Sequence, residues 1–161
     1  METSNISSSN LCDRGPNSTS YNTVLSAWVK SCSYGDDGFA AKKAEEILRR
    51  MEQNERFKPN VIAYSSIIDC WSRSRSGSLY GAKRAQKLLD HMEHLYLSGE
   101  NKYVKPNVIS YTSVLTTYTR TNTVEGANRA HDLLKDTKEL QTENENGVKP
   151  NVVSYFAVID S

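Results

Sequence analysis

The chain is poor in cysteine, in proline, in sustained apolar sequence and in net charge, and each shortage excludes something. Its three cysteines, Cys12, Cys32 and Cys70, stand far apart among 161 residues and form no C-x-x-C pair. An odd number at wide spacing argues against a disulfide framework or a structural zinc site, and leads to the expectation of three free thiols in a reducing compartment. No apolar run approaches the roughly 18 residues of a membrane-spanning helix, so no membrane partner is expected. Residues 1–15 lack the apolar stretch of a secretory signal. With Arg14 set against Glu2 and Asp13, they also make a poor transit peptide. The sequons at Asn5-Ile-Ser7 and Asn17-Ser-Thr19 are therefore read as incidental. The 20 basic and 19 acidic side chains nearly cancel to +1. Any nucleic-acid contact must then arise from local arrangement rather than bulk charge.

Catalytic signatures are equally sparse. There is no G-x-S-x-G, no P-loop and no glycine-rich dinucleotide motif. His91 and His94 share a helical stretch without the further ligands a metal would need, and His131 belongs to a different stretch. Glu45-Glu46, Glu143 and Glu145 read as solvated surface. The expectation is a protein that is not an enzyme and takes neither cofactor nor metal.

The four prolines all belong to one pattern. Pro16-Asn17, Pro59-Asn60, Pro106-Asn107 and Pro150-Asn151 are each followed, five residues after the proline, by Tyr21, Tyr64, Tyr111 or Tyr155. The tyrosines are 43, 47 and 44 residues apart, and periods of roughly 20–50 residues mark stacked arrays. Three residues after each tyrosine come Val24, Ile67, Val114 and Val158. Four after come Leu25, Ile68, Leu115 and Ile159, and seven after come Trp28, Trp71 and Tyr118. Offsets of three, four and seven lie on one helical face, so the β-branched content does not make these strands.

A second helix follows in each unit, expected near Ala40–Gln53, Gly81–Leu97 and Val124–Leu140. Its apolar register is Ala44/Ile47/Leu48/Met51, then Ala85/Leu88/Leu89/Met92, then Ala130/Leu133/Leu134/Thr137. The small alanine allows close helix approach. A single pair cannot bury its apolar face, so the pairs must stack. The fold class expected is all-α, an α-solenoid of stacked antiparallel helix pairs. Its organisation is a leader or upstream remnant at 1–17, repeats at 18–60, 61–107 and 108–151, and the start of a fourth first helix at 152–161. The chain reads as a portion of a longer solenoid.

The residue after each tyrosine begins a polar stripe with a step of four: Asn22, Ser26, Lys30; Ser65, Asp69, Arg73; Thr112, Thr116, Arg120. Steps of four keep to one face. Each stripe opens with a hydrogen-bonding side chain and closes with a cation. Stacked units would repeat both, which suits a polymer carrying one base and one phosphate per step. A solvated helix face is the alternative.

At Lys105-Pro-Asn-Val-Ile-Ser-Tyr-Thr112, together with the Ala…Leu-Leu…Met core of the second helices, the chain resembles the pentatricopeptide repeat family over nearly all of 18–161. The W-x₂-L-G-x₂-Y signature of tetratricopeptide repeats is absent. The resemblance implies a single-stranded RNA partner read one base per repeat, with roles in RNA processing, stability or translation. It implies base-selecting pairs Asn22 with Asn60, Ser65 with Asn107 and Thr112 with Asn151, and a site 5′-pyrimidine-A-A-3′ read parallel to the chain. It implies base sandwiching by Thr19, Ile62, Ile109 and Val153, and phosphate contacts from Lys30, Arg73 and Arg120. Phe156, at the selecting place of the fourth unit, can stack but not read a base edge. The family is mostly mitochondrial or plastid. These units exceed its usual repeat length, with the extra residues in the turns, where they could displace Asn107 or Asn151. A monomer is expected, with RNA as the leading partner; a scaffold for protein partners is the alternative function.

Overall fold

The computed structural model of the protein describes residues 16–32, 37–54, 56–74 and 79–143. The expectations for Cys12, Asn151, Val153 and the fourth unit, 152–161, lie outside these residues. Among the described residues the fold is all-helical: α1 (Ser18–Ser31), α2 (Phe39–Glu52), α3 (Val61–Arg73), α4 (Leu79–Leu97), α5 (Val108–Thr119) and α6 (Val124–Glu143). No helix in them is long and apolar enough to cross a membrane.

Each first helix starts at the asparagine of its Pro-Asn pair. Asn17, Asn60 and Asn107 are extended N-caps whose side chains accept from the backbone N–H of Ser20, Ala63 and Ser110. Such a cap satisfies one of the amide donors a helix start leaves open. The preceding proline cannot extend a helix backwards, so the boundary is sharp.

The helices pack in two layers. The first helices α1, α3 and α5 stack on one another in order, and each leans on the second helix of its own unit. α3 and α5 also pack on the second helix of the unit before. Tyr64, Ile67, Ile68 and Trp71 of α3 are buried, as are Tyr111, Val114, Leu115 and Tyr118 of α5. These are the offsets of zero, three, four and seven along the helix. α1 has no described unit on its outer side, and Val24 there is exposed while Leu25 is buried. Ala44, Ala85 and Ala130 are fully buried in the second helices. One turn earlier in each second helix stands another small buried residue, Ala40, Gly81 or Gly126. Small residues at both positions let first and second helices approach closely.

The extra residues before Lys105-Pro-Asn107 do not form an open excursion. Lys102–Val104 is a 3₁₀ turn, and Val104 is fully buried beside α3 and α4. The Asn101 side chain donates to the Pro59 carbonyl at 2.8 Å, and the Lys58 ammonium donates to the Glu100 carbonyl at 2.8 Å. The insertion is thus tied to the equivalent turn of the unit before.

The structure corrects the expectation of free thiols. Cys32, the C-cap of α1, and Cys70 of α3 are joined as a disulfide, with Cα atoms 5.5 Å apart. Their separation of 38 residues is close to one repeat, and stacking the first helices brings such positions together. Wide spacing in the sequence becomes adjacency in a solenoid.

Candidate nucleic-acid interface

The residues expected to select bases lie along the first-helix layer. Asn22 is exposed on α1, and its amide donates to the Ser18 hydroxyl at 3.4 Å. Ser65 on α3, which packs against α5, is only 7% exposed, and its hydroxyl is 2.9 Å from that of Ser110 on α5. Thr112 on α5 is half-buried.

Ser110 joins one expected pair. Its hydroxyl donates to Asn107 Oδ1 at 3.1 Å and receives the Asn107 backbone N–H at 3.4 Å, while its own N–H donates to Oδ1 at 3.0 Å. This is a capping box, with serine in the place that glutamate or glutamine often fills. Ser65 and Asn107 therefore meet through one oxygen atom. The capping bonds engage Oδ1 of the Asn107 carboxamide. Around the other pair the chemistry differs. Asn60 caps α3 through the N–H of Ala63 at 3.0 Å, and Ala63, in Ser110's place, has no hydroxyl. The partner of Thr112, Asn151, lies outside the described residues.

The residues expected to flank bases present apolar surface. Ile62 and Ile109, equivalent positions of α3 and α5, are 68% and 63% exposed. Burial of apolar area is the ordinary outcome for isoleucine. Two so exposed in the same register form apolar surface on the first-helix layer. Thr19 takes the same place on α1 and is exposed.

The three cations are not equivalent. Lys30 is exposed in the last turn of α1. Arg73 pairs with Asp69 at 2.7 Å, one turn back on α3. The Arg120 guanidinium donates to the Ser72 carbonyl at 2.7 Å, at the C-terminal end of α3. A base nine residues after the tyrosine falls near the helix end, where unsatisfied carbonyls attract cations. Arg120 thereby ties α5 to α3. The sequence reading assigned all three to phosphate and did not anticipate these internal bonds.

Two further sets of contacts went unread. Tyr64 donates to Glu52 and Tyr111 to Glu93, each at the C-terminal part of the preceding second helix. The repeated Met51-Glu52 and Met92-Glu93 carried that signal. Burial, then the hydrogen bond and charge of Glu52, push the Tyr64 phenol far above its ordinary range. Burial likewise raises Tyr118. Glu45 on α2 was taken as surface, yet it is 3% exposed. It accepts the Trp71 indole N–H at 2.6 Å and pairs with Arg84 of α4, so one carboxylate serves α3 and α4 together.

No curated protein matches this chain. The pentatricopeptide repeat domain matches residues 39–73 and 97–161, which is more than half of the sequence. Helix pairs stacked at this period, asparagine-capped first helices and that match converge, and the chain belongs to the pentatricopeptide repeat family.

Proposed function

We propose that the protein is a single-stranded RNA-binding module that reads one base per helical repeat and acts in RNA processing, stability or translation. The family is typically non-enzymatic and RNA-binding. The observation that carries the finer reading is the meeting of Ser65 and Asn107 through Ser110. Two side chains near opposite ends of one repeat, 42 positions apart, are linked by a hydroxyl that belongs to the next repeat. A hydroxyl and a carboxamide can both donate and accept against a base edge. Ile62 and Ile109 supply exposed apolar flanks for that base, and Lys30 supplies an exposed cation for the backbone.

The assignment is Asn22/Asn60 to a pyrimidine, Ser65/Asn107 to adenine and Thr112/Asn151 to adenine, giving 5′-pyrimidine-A-A-3′ parallel to the chain. Stacking is worth roughly 1–3 kcal/mol per base. Three bases then give on the order of 3–9 kcal/mol before ordering costs, so binding by this chain falls in the high-micromolar to millimolar range. Titration with short single-stranded RNAs at low salt tests the proposal. Preference for U-A-A over U-G-G and G-C-C supports it. Indifference to base identity, or absence of binding by the folded chain, rejects it. In the latter case a scaffold for protein partners becomes the better account.

A further inference from the structure

Through its hydroxyl, Ser110 bonds to both residues assigned to the middle base. Its hydroxyl oxygen lies 2.9 Å from Ser65 Oγ and 3.1 Å from Asn107 Oδ1, and its N–H reaches Oδ1 at 3.0 Å. Ser110 itself is fully buried, so it cannot touch RNA. From this geometry we infer that Ser110 is a positioning residue for base selection, acting through Ser65 and Asn107. The inference rests on the RNA-reading proposal above.

The physical argument is one of proton supply. The Ser110 hydroxyl has a single proton and can serve one acceptor at a time. When it donates to Asn107 Oδ1, Ser65 must donate inward to Ser110 and turns only lone pairs outward. When it donates to Ser65 Oγ, the Ser65 proton is released to face a ligand, and Oδ1 still keeps the Ser110 N–H. In both arrangements Asn107 Oδ1 stays bonded to Ser110, which limits rotation of the carboxamide. The donor and acceptor pattern offered to a base is therefore restricted to two coupled states. Without the hydroxyl, Ser65 becomes an independent rotor and Asn107 keeps one anchor instead of two. Charge and hydrophobic surface remain unchanged, so general affinity should survive while discrimination falls. The unit built on Asn22 and Asn60 gives an internal contrast, because Ala63 leaves Asn60 with the backbone anchor alone.

The test compares the full chain with Ser110→Ala, Ser110→Cys and Ser110→Thr. Cysteine nearly keeps the volume but is a weak hydrogen-bond partner, and threonine keeps the hydroxyl. Affinities for U-A-A and U-G-A are measured at one salt concentration, alongside thermal unfolding of each variant. The expected result is a wild-type preference for adenine that falls by about three- to tenfold in Ser110→Ala and Ser110→Cys and returns in Ser110→Thr. A serine needed only for the helix cap would lower thermal stability and weaken both RNAs alike, leaving their ratio unchanged. That result overturns the inference and leaves the RNA-reading proposal standing. A wild-type chain that binds U-A-A and U-G-A equally overturns base reading itself, and this inference with it.

Discussion

Tyr64 of α3 donates its phenolic proton to Glu52 at the end of α2, and Tyr111 of α5 repeats the bond on Glu93 of α4 at 2.6 Å. The two bonds join successive repeats at the same place. They make the tyrosine of the repeat motif a fastener between units as well as a core residue.

This bond has a pH signature. The folded-state pKa of Tyr64 is raised by burial and by Glu52, above an unfolded value near 10. Its contribution to stability is complete below about pH 10, where both states keep the proton, and is lost as pH rises beyond that. Tyr64→Phe should cost about 1–3 kcal/mol at neutral pH and flatten the alkaline loss. Urea unfolding at pH 7 to 11 measures both effects.

The Cys32–Cys70 bridge closes a loop of 38 residues between α1 and α3. Chain-entropy arguments give roughly 4 kcal/mol for such a loop. Cys32→Ser should lower unfolding stability by up to about that amount in oxidising buffer. In excess dithiothreitol the difference between variant and wild type should shrink sharply. Equal stability of the two proteins without reductant would show that the bridge contributes nothing.

Gly126 sits where α6 meets the end of α5. A Cβ there would overlap Thr121 Oγ1 and fall 2.7 Å from the Tyr118 carbonyl. The Thr121 hydroxyl is itself bonded to that carbonyl at 2.7 Å, so it has little room to yield. Gly126→Ala should therefore destabilise by about 1–3 kcal/mol through overpacking. Gly99 is the control for backbone cost: its φ is +77° with nothing within 4 Å of a new Cβ, so Gly99→Ala should cost only about 1–2 kcal/mol from left-handed strain. Thermal denaturation of both variants reads the contrast.

On the RNA-reading proposal, Asn107→Asp should move the middle-base preference from adenine toward guanine. Lys30→Ala should weaken all RNAs alike and reduce the salt slope by about 1. Arg120→Ala should instead lower thermal stability, because it removes the bond to the Ser72 carbonyl. Affinities for U-A-A and U-G-A at two salt concentrations, with melting curves, distinguish the three effects.

The repeat register was legible because helical period is a local property: Tyr64, Ile67, Ile68 and Trp71 share a face whatever they pack against. The helix starts were legible because asparagine after proline makes a cap with its own backbone. Contacts between repeats were not. The Ser65–Ser110 bond spans 45 residues and the disulfide 38, and both depend on how one unit settles on the next. Units of unequal length hide that offset. Asn101 and Val104 were unread for a related reason, since a polar insertion gives no period to show that it docks. Glu45 shows the limit of composition: a carboxylate in a charged helix looks solvated until an indole N–H and a guanidinium from other helices close over it.

The most direct test is an amide chemical-shift titration of the whole chain at low salt, where weak binding remains visible. The RNAs are U-A-A, U-G-G and G-C-C. The account predicts shifts concentrated at Asn22, Ser65 and Thr112 and their neighbours with U-A-A, and much smaller shifts with the other two. Equal shifts with all three RNAs, or none with any while the helices remain folded, would contradict it.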